Sequence, residues 1–309
     1  MPRLVRGIHC LGREKRTPMK NTGLALKPLS ATTGVEISGV DLRAPLSDAD
    51  AADIRAALNA WGVVFFRDQA LEPEHQLAFA RAFGTVEVRS HPTSMGQVDG
   101  HPELAVIRRE PTDGRNTGGF WHTDQCFLPD PPLGSVLYAK QLPTRGGDTM
   151  FAHMGAACAA LSDGLRDMLR GLRAVHVRLN YHGIDGRAQW GVTADELAHY
   201  AEKYAGIEAT HPVIGRHPES GQEILYLNPI YTDRFEGWTR AESQPLIQHL
   251  CARATRPENI CRFRWEDGSL AMWDNRAVLH YALDDYPGET RVMQRCVVLG
   301  PWLHPPGSA

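Results

Sequence analysis

The stretch that organises this chain is FWHTDQCF, residues 120–127, an aromatic run with an imidazole and a carboxylate two positions apart. The run indicates extended chain, and in a strand residues i and i+2 project from the same face. His122 and Asp124 can then bind one ion together while Thr123 points away. An isolated H-x-D is more often only a hydrogen-bonded pair, because motifs this short arise by chance.

A third ligand should come from far along the chain, since two side chains do not make a metal site. The best candidate is His280, in MWDNRAVLHY at residues 272–281, the other strongly aromatic strand region. Two histidines and one carboxylate on one side of a metal, with open positions opposite, are typical of non-haem Fe(II) oxygenases. The sequence therefore predicts a metal site made of His122, Asp124 and His280.

Composition excludes several classes of protein. The 309 residues are 42% hydrophobic and 22% charged, as in an ordinary globular protein with ample material for a core. A net charge of -3 argues against nucleic acid as a partner. No run of about eighteen apolar residues exists, so the sequence predicts no membrane span. The six cysteines form no C-x-x-C pair, which favours a reducing cytoplasm over a disulfide framework.

The first residues read as a leader. Residues 1–23 are basic, and neither an apolar segment nor serine follows the basic start, which argues against a secretory or organelle signal. We expect a flexible leader, with Met19 as a possible usual initiator, and a single domain over residues 24–309. Residues 180–210 fit a loop and helix insertion lying over a sheet.

The remaining pattern is mostly short strands with a few helices. Helices are predicted from Ser47 to Gly62, over 72–83, 154–161 and 163–172, and over 240–254, from their caps and apolar spacing. Strands are predicted over 24–29, 34–42, 63–66, 104–107, 135–140, 210–215, 223–228, 260–265, 269–274 and 291–299. Without β-α-β alternation, this order favours a mainly β, α+β fold, a jelly-roll sandwich with peripheral helices.

Seven motifs in order resemble the taurine dioxygenase and phenoxyacetate-herbicide dioxygenase (TauD/TfdA) family. They are GVDL near the N-terminus, FRDQ at 66–69, WHTD at 121–124, GGDT at 146–149, WDNR at 273–276, HYA at 280–282 and the pair Arg291 and Arg295. The resemblance spans about residues 24–303. It implies a double-stranded β-helix, the clavaminate synthase-like jelly roll, that holds Fe(II) and uses 2-oxoglutarate as cosubstrate and O2 as oxidant.

The resemblance also implies roles for single residues. His122, Asp124 and His280 match the iron ligands. Arg291 matches the residue that pairs with the distal carboxylate of 2-oxoglutarate, which suits a planar guanidinium, and Thr149 matches the hydroxyl that assists it. The alternative for Arg291 is an arginine of a strand that faces solvent.

Three further residues match positions around the prime substrate. Arg295 lies at the position that holds the substrate's anionic group; a buried arginine needs a substrate anion or a protein acid opposite it. His91 resembles a substrate-contacting histidine, although a plain loop histidine explains it equally well. Tyr231 matches a substrate-lining aromatic.

The loop at 116–120 lacks the acid and amide cluster expected for gripping taurine's amine, so we expect another small organic acid. A sulfonate, sulfate ester or aryloxyalkanoate, hydroxylated beside its heteroatom with release of succinate and CO2, fits best.

Other readings stay open. One is the same fold and iron site acting on an amino-acid-derived or other carboxylate metabolite, and another is a non-catalytic jelly roll that binds a metal or ligand. A zinc hydrolase is disfavoured because neither H-E-x-x-H nor a cysteine ligand set is present. We also expect a homo-oligomer, a dimer or a tetramer. The predicted partner is a small anionic molecule, without nucleic acid or membrane.

Overall fold

The fold is built mainly from strands. The computed structural model describes residues 23–88, 96–113, 118–178, 202 and 205–304. Within these residues the first nine strands are β1 Ala25–Pro28, β2 Val35–Ser38, β3 Val63–Phe66, β4 Thr85–Val86, β5 Gly96–Val98, β6 His101–Arg109, β7 Gly134–Gln141, β8 Thr149–His153 and β9 Arg173–Val177. The other strands are β10 Glu208–Pro212, β11 Ile214–Arg216, β12 Glu223–Leu225, β13 Thr232–Phe235, β14 Ile260–Phe263, β15 Leu270–Asp274, β16 Val278–Ala282 and β17 Arg291–Leu299.

Five α-helices lie among these strands in the described part of the chain. They are α1 Asp48–Trp61, α2 Pro73–Arg81, α3 Met154–Ala159, α4 Asp163–Arg170 and α5 Arg240–Ala254. Capping follows the predicted signals: the Ser47 side chain accepts from the backbone N–H of Asp50 at the start of α1. At its end Gly62 has a φ of 72°, and a Cβ there would lie 2.4 Å from Val278. None of the described helices is long and apolar enough to cross a membrane.

Two facing sheets form the jelly roll. The larger has the order β1-β2-β3-β15-β7-β17-β6-β5, with β4 attached to β17, and only β2 and β3 in it run parallel. The smaller has the order β14-β8-β16 and is antiparallel. Between the sheets lies an apolar core of twelve buried side chains that includes Phe65, Phe151, Phe263 and Met293. The rings of Phe65 and Phe263 stack with centroids 3.9 Å apart.

Helices cover the other faces, as predicted. A second core packs α1 and α2 against the outer face of the large sheet, and a third surrounds α3 and α5. The predicted helix over 72–83 ends earlier, at Arg81, because the N–H groups of Ala82 and Phe83 bond to carbonyls three residues back and tighten the chain into a turn. The predicted strand over 104–107 is longer and forms β6.

Other predictions concern segments of which little is described. The leader at 1–22 and most of the predicted insertion at 180–210 lie outside the described residues. Residues 208–210, which the insertion included, belong instead to β10 and pair with β9. The strands β9 and β13 were not predicted, because in isolation their short mixed sequences, RAVHV and TDRF, lack clear alternation.

Candidate active site

Backbone pairing brings the two predicted histidine ligands together. His122 and His280 form an isolated antiparallel bridge next to the small sheet. The N–H of His122 bonds to the carbonyl of His280 at 3.0 Å, and the reverse bond is 2.7 Å. Their imidazole centroids lie 4.1 Å apart. The main chain therefore fixes both side chains on the same side of the pair.

The orientation of the His122 ring is set by its neighbour. Nδ1 of His122 lies 2.8 Å from the carbonyl oxygen of Phe120, so that nitrogen carries the proton and donates. Nε2 is then left with a free lone pair, the form that binds a metal. In His280, Nδ1 is buried and has no partner among the described residues, and Nε2 faces Asp124.

Asp124 does not continue the strand that the H-x-D spacing predicts. Only His122 pairs as a strand residue, and Asp124 begins a turn that runs through Phe127. Gln125 has a φ of 54°, an uncommon conformation for a residue with a side chain. The prediction of proximity is nevertheless confirmed: Thr123 points away and donates to the carbonyl of Asn275 at 2.7 Å, while Asp124 lies beside both histidines.

Two residues hold the Asp124 carboxylate. The Ser135 hydroxyl, on β7, donates to Oδ2 at 3.1 Å. Arg295, on β17, donates from Nη1 to Oδ1 at 3.3 Å. The acid that faces Arg295 in the protein is therefore Asp124. Ser135 was missed from the sequence, although a lone hydroxyl in a buried apolar strand is a signal that can be read.

The three candidate ligands form one cluster. Their donor atoms all lie within 4.8 Å of one another, and all three residues are buried. Nε2 of His122 is 3.9 Å from Oδ1 of Asp124, and Nε2 of His280 is 3.9 Å from Oδ2. It is the one cluster of three or more such groups found among the described residues.

The electrostatics of the cluster suit a divalent cation. Burial lowers the pKa of both His122 and His280, so the imidazoles are neutral. Burial opposes ionisation of Asp124, but the charge of Arg295 prevails, together with the hydrogen bond from Ser135, and holds its pKa below the ordinary value. A neutral imidazole and an ionised carboxylate are the forms that ligate metal. Two nitrogens and one oxygen on one side fit Fe(II).

The residues predicted to bind 2-oxoglutarate lie near the small sheet. Arg291 begins β17 and is 4% exposed, and its Nε and Nη2 have no acceptor among the described residues. Thr149 begins β8 and is buried. The glycine turn before it is present: Gly147 has a φ of 70°, and a Cβ there would lie 3.2 Å from Cδ of Arg291. The turn thus lets the backbone pack against the arginine stem.

The predicted residues of the prime substrate are described only in part. Tyr231 is partly buried and packs edge-on against Phe127, with ring centroids 5.2 Å apart. Phe127 ends the turn that begins at Asp124, so this aromatic pair adjoins that turn. His91 lies outside the described residues.

Comparison with known proteins agrees with the fold. The family model described as taurine catabolism dioxygenase TauD, TfdA family, matches residues 25–297. The chain is 35% identical over 281 residues to an alpha-ketoglutarate-dependent sulfate ester dioxygenase of Pseudomonas putida, covering 90% of each chain. It is 32% identical over 270 residues to an alpha-ketoglutarate-dependent 2,4-dichlorophenoxyacetate dioxygenase of Cupriavidus pinatubonensis, covering 82% of this chain and 90% of the relative.

A solved structure extends the likeness to three dimensions. The crystal structure of a taurine dioxygenase from Burkholderia xenovorans superposes with a TM-score of 0.77 at 35% identity, covering 93% of this chain and 94% of the other. The double-stranded β-helix predicted from the sequence is confirmed. The chain belongs to the TauD/TfdA family and is a dioxygenase that depends on Fe(II) and 2-oxoglutarate and uses O2.

Proposed function

We propose that this dioxygenase hydroxylates a small organic acid at the carbon next to a heteroatom, with a sulfate ester, a sulfonate or an aryloxyalkanoate as substrate. The observation that carries the proposal is the position of Arg295. Its guanidinium touches the Asp124 carboxylate at 3.3 Å, and its Nε is buried without a partner in the described part of the chain. A cation with a free donor thus lies directly beside the ligand cluster.

His122, Asp124 and His280 hold Fe(II) in this proposal. Bound Fe(II) supplies activation of O2, which couples decarboxylation of 2-oxoglutarate to hydroxylation of a C–H bond. The chain's own contribution is to fix the ligands from one side and to limit water. Phe120 and Trp273 do the latter: Phe120 packs on His122 with centroids 4.7 Å apart, and Trp273 packs on His280 at 4.8 Å.

Arg291 and Thr149 bind the distal carboxylate of 2-oxoglutarate. The open Nε and Nη2 of Arg291 can receive a carboxylate through two parallel hydrogen bonds. Arg295 is four residues further along β17, on the same face by the alternation of a strand. Cosubstrate and substrate anions would then be bound by two arginines of the same strand.

Arg295 orients the prime substrate. Holding the anionic group at a fixed point brings the adjacent carbon toward the metal, and such positioning contributes much of the rate of enzymatic reactions. Hydroxylation of that carbon gives an unstable product. A sulfate ester then breaks into an aldehyde and sulfate, a sulfonate into an aldehyde and sulfite, and an aryloxyalkanoate into a phenol and a 2-oxo acid.

The neighbourhood of the site supports an apolar or aromatic body on the substrate. The Tyr231 and Phe127 pair offers aromatic surface near Asp124. One relative named above acts on sulfate esters and another on 2,4-dichlorophenoxyacetate. The second substrate has an aromatic body, and a sulfate ester can carry an apolar one. We keep His91 as a substrate-contacting residue in this proposal on the resemblance alone.

A substrate panel tests the proposal. The Fe(II)-loaded enzyme is incubated with 2-oxoglutarate, O2 and alkyl sulfates, alkyl sulfonates or aryloxyalkanoates, and succinate is measured together with released sulfate, sulfite or phenol. We expect succinate in stoichiometric yield with one of these products. Turnover confined to amino-acid-derived carboxylates would contradict the proposed substrate class. If no 2-oxoglutarate were consumed with any compound, the protein would be a non-catalytic binding protein.

Two variants test the role of Arg295. Arg295→Met should raise KM for the prime substrate at least tenfold, since a charged hydrogen bond is lost, while 2-oxoglutarate decay without substrate continues at saturating Fe(II), because Ser135 still bonds the Asp124 carboxylate. Arg108→Met on β6 is the matched control, because Arg108 is exposed and pairs only with Glu110 among the charged groups described. Equal loss of substrate binding and of uncoupled 2-oxoglutarate decay would contradict the division of roles.

Two further expectations belong to the same proposal. A dimer or tetramer is expected, and light scattering coupled to size exclusion measures it. A cytoplasmic location is expected from the cysteines: the five that the structure describes are free and buried.

A further inference from the structure

Arg291 has more donor capacity than the protein satisfies. It is buried, which lowers its pKa from the ordinary value; Tyr286 and Asp148 oppose that shift. Asp148 itself is bound at 2.6 Å by Nε of Arg262. Nε and Nη2 of Arg291 have no acceptor among the described residues. Burying a charged guanidinium whose donors lack acceptors is costly, and a bound anion would offset that cost.

Trp265 determines how the Thr149 hydroxyl can act. The indole N–H of Trp265 donates to Oγ1 of Thr149 at 2.9 Å, and both residues are buried. Because an indole can only donate, it occupies a lone pair of the hydroxyl and leaves the hydroxyl hydrogen to point elsewhere. The same ring lies with its centroid 5.9 Å from Cζ of Arg291. The hydroxyl hydrogen of Thr149 is therefore free to donate, and the indole that bonds to its oxygen also lies near Arg291.

Tyr286 brings another donor to the same place. The residue is 1% exposed, and no hydrogen bond of its hydroxyl has standard geometry in the described part of the chain, although the guanidinium groups of Arg291 and Arg109 lie near it. Burial raises its pKa, so the hydroxyl keeps its proton. It lies close enough to Arg291 for each group to shift the other's pKa. A buried hydroxyl without an acceptor is costly unless a ligand supplies one.

Arg109 fixes the Tyr286 ring. Its guanidinium carbon lies 4.5 Å from the ring centroid, and its Nη1 donates to the Tyr286 carbonyl at 2.9 Å. Arg109 is itself paired with Asp284 at 3.1 Å, so its charge is balanced within the protein. Arg109 thus keeps one open donor, Nε, whereas Arg291 has two and forms no ion pair with an acid among the described residues, with the Tyr286 hydroxyl near it.

We propose that Trp265 and Tyr286 complete the pocket for the distal carboxylate of 2-oxoglutarate, Tyr286 as a direct hydrogen-bond donor and Trp265 as a positioning residue that acts through Thr149. The inference rests on the proposed roles of Arg291 and Thr149. One carboxylate would then receive hydrogen bonds from a guanidinium and two hydroxyls. Its four lone-pair positions can accept all of them. The pocket thereby selects 2-oxo acids with a second carboxylate.

Anaerobic binding titrations test the role of Tyr286. The Fe(II)-loaded protein is titrated with 2-oxoglutarate and, separately, with pyruvate, which has the 2-oxo acid group but no distal carboxylate; the visible absorption of each chelate gives Kd. Tyr286→Phe should raise Kd for 2-oxoglutarate about tenfold and leave Kd for pyruvate unchanged. An equal change for both acids, or none for 2-oxoglutarate, overturns the role of Tyr286.

A double-mutant cycle tests Trp265. Trp265→Phe removes the indole N–H, so Kd for 2-oxoglutarate should rise severalfold, and adding Thr149→Val should cost less than it does alone. Trp265→His, which keeps a ring N–H, should recover part of the affinity and replaces Trp265→Phe if that variant fails to fold. Additive effects of Trp265→Phe and Thr149→Val overturn the positioning role.

The wild-type titration separates failure of this inference from failure of the proposed function. If wild type binds 2-oxoglutarate no better than pyruvate, the proposed roles of Arg291 and Thr149 fail, and the inference fails with them. If wild type prefers 2-oxoglutarate but the variants keep that preference, only the inference fails.

Discussion

His122 and His280 exchange both of their backbone hydrogen bonds, although they lie far apart in the sequence. The main chain of the jelly roll therefore positions the two imidazoles before any metal binds. Because these hydrogen bonds join backbone atoms, replacing either imidazole side chain should leave the backbone pair, and with it the fold, intact. The first prediction depends on this independence of the fold from the two side chains.

His122→Ala and His280→Ala should each abolish Fe(II) binding and turnover while the metal-free protein keeps its fold. The reason is that each variant removes one of three ligands but no backbone hydrogen bond. Equilibrium dialysis with Fe(II) under anaerobic conditions measures the metal, and circular dichroism measures the fold. Thr123→Val serves as control, because Thr123 lies between the ligands but points to Asn275. Normal metal binding by either alanine variant would remove that histidine from the site.

The sequence predicted that His122, Asp124 and His280 lie together, but not the local geometry that brings them together. His122 and Asp124 were expected on one strand face, whereas Asp124 lies in a turn with Gln125 at positive φ. A positive φ at a residue with a side chain is a tertiary effect, which periodicity cannot show. Likewise Trp265 and Tyr286 belong to ordinary strand or loop patterns, and only their hydrogen-bonding state reveals them.

Helices with clear caps were predicted almost to the residue. The predicted helix over 240–254 is α5, which begins with a reciprocal cap formed by Thr239 and Glu242. The short strands β9 and β13 were harder to predict. Both carry polar residues, and they pair with each other in the separate three-stranded sheet β10-β9-β13. Local signals thus suffice where the chain bonds to itself nearby, and fail where a strand depends on distant partners.

Ser135→Ala should weaken metal binding about tenfold, the lower end of the effect of outer-shell partners. The hydroxyl donates to Oδ2 of Asp124 and is fully buried, so its loss leaves the carboxylate held only by Arg295. Mn(II) affinity measured by electron paramagnetic resonance in the absence of turnover checks this. Ser243→Ala is a matched control: Ser243 is equally buried but bonds the backbone at the start of α5. An unchanged affinity in Ser135→Ala would exclude the positioning role.

Arg276→Met should destabilise the protein by roughly 3–5 kcal/mol, the effect of breaking a buried ion pair from one side. Arg276 and Asp274 are fully buried and joined at 2.7 Å. Without the guanidinium, Asp274 keeps only His217 as a side-chain partner, at 3.0 Å. Urea unfolding measures the loss. The double variant Arg276→Met with Asp274→Asn should be less destabilised than Arg276→Met alone, since no charge is left stranded; a larger loss in the double variant would contradict this account.

His153 should make the stability of the protein pH-dependent below neutrality. Burial lowers its pKa from the ordinary 6.5 to about 4, with Asp274 opposing. Its Nδ1 accepts from the N–H of Gly155 at 3.1 Å and of Ala156 at 3.3 Å at the start of α3, which also requires the unprotonated ring. Between about pH 6.5 and 4 the unfolded chain takes up a proton that the folded protein does not, so stability falls as pH falls.

The contribution of His153 across that interval is roughly 3 kcal/mol, because each unit of pKa difference corresponds to about 1.4 kcal/mol. His153→Asn keeps an acceptor at the start of α3 but does not titrate, so its unfolding free energy should fall less steeply over the same range. Urea unfolding of both metal-free proteins at half-unit steps from pH 7.5 to pH 4, on the order of eight points, resolves the difference between slopes. The other buried histidines are common to both proteins, so parallel curves would mean that His153 is protonated equally in the folded and unfolded chains.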